Sequence, residues 1–134
     1  MTSFPLKIVT PDGICFDGQA EELLVRTTGG DVAILARHIN YVAALGMGRA
    51  VVVTGGERRY AACIGGMLSV IDGEVTLVPT TFEWANEIDI DRVEASLTRA
   101  NQVLKSNDSS GTDIKLAEAR LHRALVRKSV ASNK

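Results

Sequence analysis

The strongest constraint on the fold is a change of hydrophobic period near Trp84. Before Trp84, short apolar segments alternate with glycine-containing turns, which is typical of β-strands. After it, the segment that begins at Ile88 has helical spacing and contains no glycine or proline until Gly111. The sequence therefore predicts an antiparallel β-sandwich or flattened barrel over residues 1–84, followed by an antiparallel two-helix hairpin over residues 85–134.

Turn residues divide the first part of the chain into short strands. Asp72-Gly73 lies between two apolar segments and is typical of a tight type I′ hairpin turn, and Gly55-Gly56 predicts a second hairpin. The segment 46–48 is predicted as a turn. No helical segment separates these strands, so a parallel α/β sheet is not expected. The predicted strands cover residues 6–10, 14–16, 22–27, 31–35, 49–54, 58–64, 67–71 and 74–79.

The second part of the chain predicts two short amphipathic helices. Apolar residues at i, i+4, i+7 and i+11 form one face of the first helix, namely Val93, Leu97, Ala100 and Leu104. The second helix is predicted to start at about Asp113, with one face formed by Ile114, Ala117, Leu121, Ala124 and Leu125. Two N-caps compete at the start of the first helix, Asp91 with Glu94 in a capping arrangement, and Asp89.

The seam between the two helices is predicted to be weak. Both apolar faces contain alanine, so they bury little area at roughly 25 cal/mol per Å². A polar turn over residues 106–111 is expected to join them. A helical arm with a weak seam is a good candidate for a moving part.

The composition is that of a folded domain. The 134 residues are 46% hydrophobic but only 4% aromatic, so we expect a core mainly of Val, Ile, Leu and Ala. The net charge of -1 provides no field that would attract nucleic acid or an anionic membrane. The apolar runs are too short to span a bilayer, and the N-terminus has no secretory pattern. A cytoplasmic protein without direct membrane insertion is therefore expected.

The sequence offers no set of residues typical of an active site. Its two histidines, His38 and His122, belong to no cluster with metal-ligand spacing. There is neither a G-x-x-x-x-G-K-[ST] phosphate loop nor a G-x-G-x-x-G motif. Cys15 and Cys63 lie in apolar segments and are interpreted as buried, reduced thiols, with a disulfide or a reactive thiol as the alternative. No catalytic or metal-binding residue is predicted.

Four segments carry short motifs in a fixed order. Residues 6–13 form an apolar strand that ends at Pro-Asp-Gly, and residues 30–38 read GDVAILARH. Residues 64–70 read IGGMLSV, and residues 88–93 read IDIDRV. In this order they resemble the epsilon subunit of F-type ATP synthases, with its first strand and turn, G-E-x-G-I-L-P-x-H, S-G-G-x-x-x-V and [I/L]-D-x-x-R-A. Each motif alone is weak, but together they cover nearly the whole chain.

The resemblance implies a non-catalytic rotor subunit of the ATP synthase complex, peripheral at the cytoplasmic face of the bacterial plasma membrane. In the family, the sandwich binds the gamma subunit and the polar loops of the membrane c-ring. The helical arm folds against the sandwich or extends toward the alpha and beta subunits, where it inhibits ATP hydrolysis. A weak seam suits this role, because two states of similar free energy interconvert readily.

The resemblance also implies a c-ring contact at one edge of the sandwich. Asp31 falls where the family usually has glutamate, and His38 matches the family's histidine. The proline and glycine before that histidine are replaced by Ala36 and Arg37, so Arg37 adds a positive charge at the predicted contact. On the sequence alone, His38 can also be a surface or loop-capping histidine.

Some bacterial members of the family bind ATP, as a regulatory ligand, between the sandwich edge and the folded hairpin. No other cofactor is implied. Val93 stands where the family has alanine, within the matching motif. Arg99 joins the candidate set because it shares a helix face with Arg92. The candidate ATP-binding residues are Glu83, Ile88, Asp89, Arg92, Arg99, Arg123 and Arg127.

The arginines of this set have two readings. Guanidinium groups from both helices would hold phosphates through bidentate bonds, while Asp89 would cap the helix and accept from the adenine amino group. The same arginines also suit a solvated face or one that docks on acidic partner loops. Beside the rotor subunit, a free-standing nucleotide-sensing module therefore stays open. A β-sandwich enzyme has no supporting set of residues.

Overall fold

The computed structural model of the protein describes residues 2–106 and 110–132. The chain forms two compact units, Met1–Trp84 and Ala85–Lys134. The first is built from β-strands and the second from helices. The predicted fold class, a β-sandwich followed by a two-helix hairpin, is confirmed.

The described part of the first unit contains ten strands in two sheets. The strands are β1 (Phe4–Thr10), β2 (Gly13–Ala20), β3 (Glu22–Thr27), β4 (Gly30–Leu35), β5 (Tyr41–Ala44), β6 (Met47–Thr54), β7 (Glu57–Ile64), β8 (Met67–Ile71), β9 (Glu74–Val78) and β10 (Thr81–Trp84). The first sheet has the order β2-β1-β9-β8-β5 and the second the order β10-β7-β6-β3-β4. The neighbouring strands are antiparallel, except that β1 pairs with β9 in parallel.

The two sheets enclose an apolar core. Phe4, Leu6 and Ile8 of β1 are buried and alternate with more exposed residues, as expected for a strand with one face inward. Leu23 and Val25 of β3 face the same core from the second sheet. Most of the core residues are aliphatic, as the low aromatic content predicts.

The two predicted hairpins form around turns with positive φ at both central residues. Gly55 and Gly56 have φ values of 57° and 80°, and Asp72 and Gly73 have values of 50° and 83°. These values fit the type I′ turn, whose twist matches that of antiparallel strands. The hairpins β6–β7 and β8–β9 therefore follow from local turn chemistry.

The turn predicted over residues 46–48 is wrong, because Met47 and Gly48 already belong to β6. The reason for glycine here is a close approach of neighbouring groups. A Cβ on Gly48 would lie 2.7 Å from the Cβ of Arg26. The N–H of Gly46 donates to the carbonyl of Arg26 at 3.0 Å, so the chain just before β6 already runs alongside β3. Strands β5 and β10, of four residues each, are absent from the sequence prediction.

The second unit contains a short 3₁₀ turn, Ala85–Glu87, and the helices α1 (Ile90–Lys105) and α2 (Gly111–Ala131). The two helices pack against each other. The Nζ of Lys128, near the end of α2, lies 3.0 Å from the Oε1 of Glu94, near the start of α1. The helices are therefore antiparallel. Of the turn predicted over residues 106–111, residues 107–109 lie outside the described part of the chain.

Both helix starts differ in detail from the prediction. Asp89 is the N-cap of α1, and its Oδ1 accepts from the N–H of Arg92 at 3.2 Å, so the capping arrangement predicted at Asp91 is wrong and the competing cap at Asp89 is confirmed. α2 begins at Gly111, two residues before the predicted start, because Ser110 and Asp113 form a capping box.

Most residues of the two predicted apolar helix faces are buried or half-buried. Val93, Leu97 and Ala100 of α1 are buried, while Leu104 is half-buried. In α2, Ala117 and Ala124 are buried, and Ile114 and Leu121 are half-buried. Leu125 is 49% exposed and lies outside the seam, because it follows Ala124 by one residue and points about 100° away from it.

Candidate functional site

Asp31 lies on β4, the edge strand of the second sheet. It stands opposite Arg26 of β3, and the Nη1 of Arg26 lies 3.5 Å from the Oδ1 of Asp31. Both side chains are more than half exposed, so this ion pair contributes at most about 1 kcal/mol to stability. The carboxylate of Asp31 is thus available at the surface.

The connection from β4 to β5, Ala36–Asn40, carries Arg37 and His38. Arg37 has a φ of 67°, in the left-handed region, so the chain keeps a glycine-like turn without glycine. The half-buried ring of His38 has its Nδ1 2.7 Å from the carbonyl oxygen of Ile39 and lies edge-on to Tyr41. Asn40 Oδ1 accepts from the N–H of Asp72 at 2.8 Å. These contacts fix the loop to the neighbouring hairpin turn.

The structure does not gather the three predicted ring-facing residues into one cluster. Asp31 lies near the start of β4, whereas Arg37 and His38 follow its end. At about 3.3 Å per residue, the four steps from Asp31 to Leu35 span roughly 13 Å, and Arg37 and His38 follow in the loop beyond. The three residues could serve one partner only if that partner follows the length of the edge.

The outer face of the first sheet carries exposed apolar side chains, which the sequence analysis missed. Val42 of β5 is 61% exposed, and Met67, Ile71 and Val78 of β8 and β9 are 46%, 54% and 46% exposed. We call these four residues the apolar face. Ile39, 77% exposed, lies in the adjoining loop. The signal in the sequence was that apolar residues occur on both alternating faces of β8. A strand with one solvated face instead alternates apolar with polar residues.

The predicted nucleotide-binding residues lie in both units. Glu83 is half-buried on β10, opposite Ala62 of β7. Ile88 is buried, and Asp89 is engaged as the N-cap of α1. Arg92 and Arg99 on α1 and Arg123 on α2 are exposed, whereas Arg127 is half-buried.

The antiparallel pairing brings arginines of both helices to the same end of the hairpin. Arg92 lies two residues before Glu94, and Arg127 lies one residue before Lys128. Since Lys128 and Glu94 form an ion pair, Arg92 and Arg127 belong to the same region. Arg99 and Arg123 lie one to two turns further along the hairpin.

The thiols and the potential metal-ligating side chains of the described residues give little support for other chemistry. Cys15 and Cys63 are free; Cys63 is buried, and burial together with the nearby Cys15 raises the pKa of its thiol to about 12. Within residues 2–106 and 110–132, no group of three His, Cys, Asp or Glu side chains could hold a metal ion. No helix in the same described ranges is long and apolar enough to cross a membrane.

These features define a class of protein: a β-sandwich with an exposed apolar face, followed by an antiparallel helical hairpin. Two family models match the chain, the ATP synthase Delta/Epsilon chain beta-sandwich domain over residues 3–85 and its long alpha-helix domain over residues 86–132. The chain belongs to the ATP synthase delta/epsilon chain family.

Similar proteins support this assignment along the full length. The ATP synthase epsilon chain of Ruminococcus albus is 41% identical over 135 residues, and that of Bacillus cytotoxicus 37% over 134 residues, with 100% of each chain covered. A chain in the Euglena gracilis mitochondrial ATP synthase structure of OSCP, F1 and c-ring has a similar fold. Its TM-score is 0.83 and its identity 22%, with 96% of this chain and 81% of that chain covered.

A second structure shares the fold at lower similarity. A chain in the central stalk and c-ring of the Tetrahymena thermophila mitochondrial ATP synthase has a TM-score of 0.60 and 16% identity, with 95% of each chain covered.

Proposed function

We propose that the protein is a non-catalytic central-stalk subunit that joins the gamma subunit to the c-ring of an ATP synthase at the cytoplasmic face of a bacterial membrane. The observation that carries this proposal is the apolar face, present on a chain that matches epsilon chains over its full length. One solved relative comes from an assembly described as OSCP, F1 and c-ring, and the other from one described as central stalk and c-ring.

The apolar face suits a permanent protein partner. Val42, Met67, Ile71 and Val78 lie on three adjacent strands, β5, β8 and β9, so their side chains form one continuous surface. Contiguous exposed apolar surface marks interaction sites, because its exposure to water is unfavourable. We assign this surface to the gamma subunit. The polar edge around Asp31 is assigned to the polar loops of the c-ring.

Complex formation with the gamma subunit from the same organism tests the proposal. The full chain and gamma should elute together as a 1:1 complex in size-exclusion chromatography. Ile71→Lys should abolish co-elution, because it places a charge on the apolar face. Ile14→Lys is the matched control: Ile14 is also well exposed, but it lies on β2 at the far edge of the first sheet. Separate elution of the wild-type chain would overturn the proposal and favour a free-standing module.

We also propose that the helical hairpin regulates ATP hydrolysis. The packed faces of α1 and α2 contain Ala100, Ala117 and Ala124, which bury little apolar area. The ion pair between Lys128 and Glu94 joins side chains that are about half exposed, so it adds little stability. A hairpin held this loosely can open and extend toward the alpha and beta subunits at a modest cost in free energy.

ATP binding by the hairpin is a second candidate function. It is favoured by the arrangement of Arg92 and Arg127 at one end of the antiparallel pair, with Arg99 and Arg123 nearby along it. Two helices thus supply guanidinium groups suited to phosphates. Calorimetric titration of the isolated chain with ATP, with and without Mg²⁺, should give saturable heat that Arg92→Ala removes. No heat at millimolar ATP would leave these arginines as docking residues for acidic loops of the alpha and beta subunits.

A further inference from the structure

Arg37 has a backbone conformation that glycine adopts without strain. Its φ of 67° lies in the left-handed region, where a Cβ crowds the following carbonyl group. The other non-glycine residue with positive φ in the described ranges is Asp72, and aspartate is enriched in such turns whereas arginine is not. A side chain retained at a strained surface position points to a role for that side chain.

The guanidinium of Arg37 has no ionic or hydrogen-bonded partner within residues 2–106 and 110–132. Arg37 lines a surface pocket of about 370 Å³ together with Glu21, Thr2, Leu35 and Ala36. One carboxylate oxygen of Glu21 accepts from the N–H of Gly56 at 3.0 Å, and the other, Oε2, is shielded from solvent without a hydrogen bond. Even this acidic neighbour therefore leaves Arg37 unpaired.

The loop presents Arg37 from a fixed position. The N–H of His38 donates to the carbonyl of Leu35 at 3.2 Å, and the side chain of Asn40 accepts from the N–H of Asp72. Because the backbone is already ordered, a contact made by Arg37 loses little backbone entropy on binding.

The surroundings of Arg37 favour a charged contact at a partly dry interface. Ile39, two residues on, is 77% exposed, and Val42 of the apolar face follows it by three residues. A partner that covers these side chains excludes water from the neighbourhood of the guanidinium. An ion pair is stronger in such an environment, and arginine can bind a carboxylate through two parallel N–H···O bonds.

We propose that Arg37 is a specificity-determining residue of the subunit interface, and that it binds a carboxylate of the gamma subunit at the margin of the apolar face. This inference rests on the proposed function, since the carboxylate belongs to the partner that covers that face. It assigns Arg37 to the gamma subunit, whereas Asp31, near the start of β4, stays with the c-ring loops.

Affinity for the purified gamma subunit and thermal stability of the isolated chain together test the inference. Arg37→Gln should weaken binding roughly 10- to 100-fold and reduce its dependence on salt, while Arg37→Lys should keep part of the affinity. Arg37→Gly should raise the melting temperature of the isolated chain, because it relieves the strain, yet weaken binding as much as Arg37→Gln. A merely structural role would move stability and affinity in the same direction.

Asp72→Gly is the matched control. It also replaces a non-glycine residue at positive φ and keeps the backbone N–H that donates to Asn40, so affinity for gamma should stay unchanged. Equal affinity of Arg37→Gln and the wild type would overturn the inference and leave the proposed function intact. Failure of the wild-type chain to bind gamma would overturn both.

Two further measurements exclude other roles of Arg37. Melting temperatures of Arg37→Gln, Glu21→Gln and the double variant should be additive in the isolated chain. Strong coupling would show an internal pair with Glu21 and overturn the inference. Binding to vesicles that contain one-third phosphatidylglycerol should be equally weak for the wild type and Arg37→Gln. A loss of vesicle binding with unchanged gamma affinity would assign Arg37 to the lipid surface instead.

Discussion

Gly66 lies where the β7–β8 connection passes the end of β9. A Cβ at this position would collide with the carbonyl oxygen of Val78 and lie 2.6 Å from the Cα of Pro79, and the φ of Gly66 is 99°. Both obstacles are backbone atoms, so no rotamer change relieves the clash. Gly66→Ala should therefore lower the free energy of unfolding by roughly 3 kcal/mol or more, measured by urea denaturation.

Gly55→Ala provides the comparison for Gly66. Gly55 also has a positive φ, 57°, but a Cβ there would meet no atom within 4 Å. The expected loss is the strain alone, about 1 kcal/mol. Equal losses for the two variants would mean that close approach plays no part at Gly66.

Cys63 gives the stability of the sandwich a pH dependence. Burial and the nearby Cys15 raise the pKa of its thiol to about 12, whereas an unfolded chain releases this proton near pH 8.5. The stabilisation is therefore complete below about pH 8.5 and is lost as the pH rises toward 12, since only the unfolded state ionises in that interval. By pH 10 the loss should reach about 2 kcal/mol.

Urea denaturation at pH 7.5 and pH 10 measures this effect. Cys63→Ala removes the titrating group, so its free energy of unfolding should fall less between the two pH values than that of the wild type. The variant loses some packing at both pH values, and that contribution cancels in the comparison. Parallel losses in both proteins would contradict the assignment to Cys63.

At the level of the elements, Asp89 determines where α1 begins. Its carboxylate accepts from the N–H of Arg92, one of the backbone donors that the helix itself cannot satisfy. Asp89→Ala should destabilise α1 by about 1 kcal/mol, seen as faster hydrogen exchange in its first turn. Asp91→Ala serves as the control, because Asp91 lies within the helix and is not its cap. A larger effect at Asp91 would refute the cap assignment.

Local chemistry explains which elements the sequence could predict. The hairpins around Gly55-Gly56 and Asp72-Gly73 depend on adjacent residues, and the amphipathic helices on a repeat within one segment. Strands β5 and β10 depend on pairing with β8 and β7, which short sequences of four residues do not reveal. Of the apolar face, Met67, Ile71 and Val78 lie in the predicted β8–β9 hairpin, and only the position of Val42 depends on the pairing of β5 with β8.

The candidate site was predictable only in part. Matched motifs indicated Asp31, Arg37 and His38. Their separation follows from the length of β4, because Asp31 lies near its start and the other two residues follow its end. The sequence indicated basic residues on both helices. The ion pair between Lys128 and Glu94 then shows which of these residues lie at the same end of the hairpin. Whether these positions bind the c-ring or ATP stays a prediction.

At the level of the whole molecule, the sandwich has its own core. The buried cluster that joins its two sheets is drawn from residues 4–84, all within the first unit. A chain that ends after Asn86 should therefore keep a cooperative thermal transition and bind gamma. If the hairpin inhibits hydrolysis, the ATPase activity of the assembled complex should rise several-fold with this shortened chain. Unchanged activity in a complete complex would mean that the hairpin has no inhibitory role.

The parallel pairing of β1 with β9 bears on how the chain is made. Leu6 pairs with Val75, so the first strand to be synthesised cannot complete its pairing until a strand almost seventy residues later has been made. Pairing over such a distance is slow, because a long loop must close before the contact forms. The first sheet is complete only when translation has passed β9, while the helices are still being synthesised. During this interval the side of β1 that pairs with β9 is open to chaperones, and the helical hairpin emerges only after the whole sandwich has been synthesised.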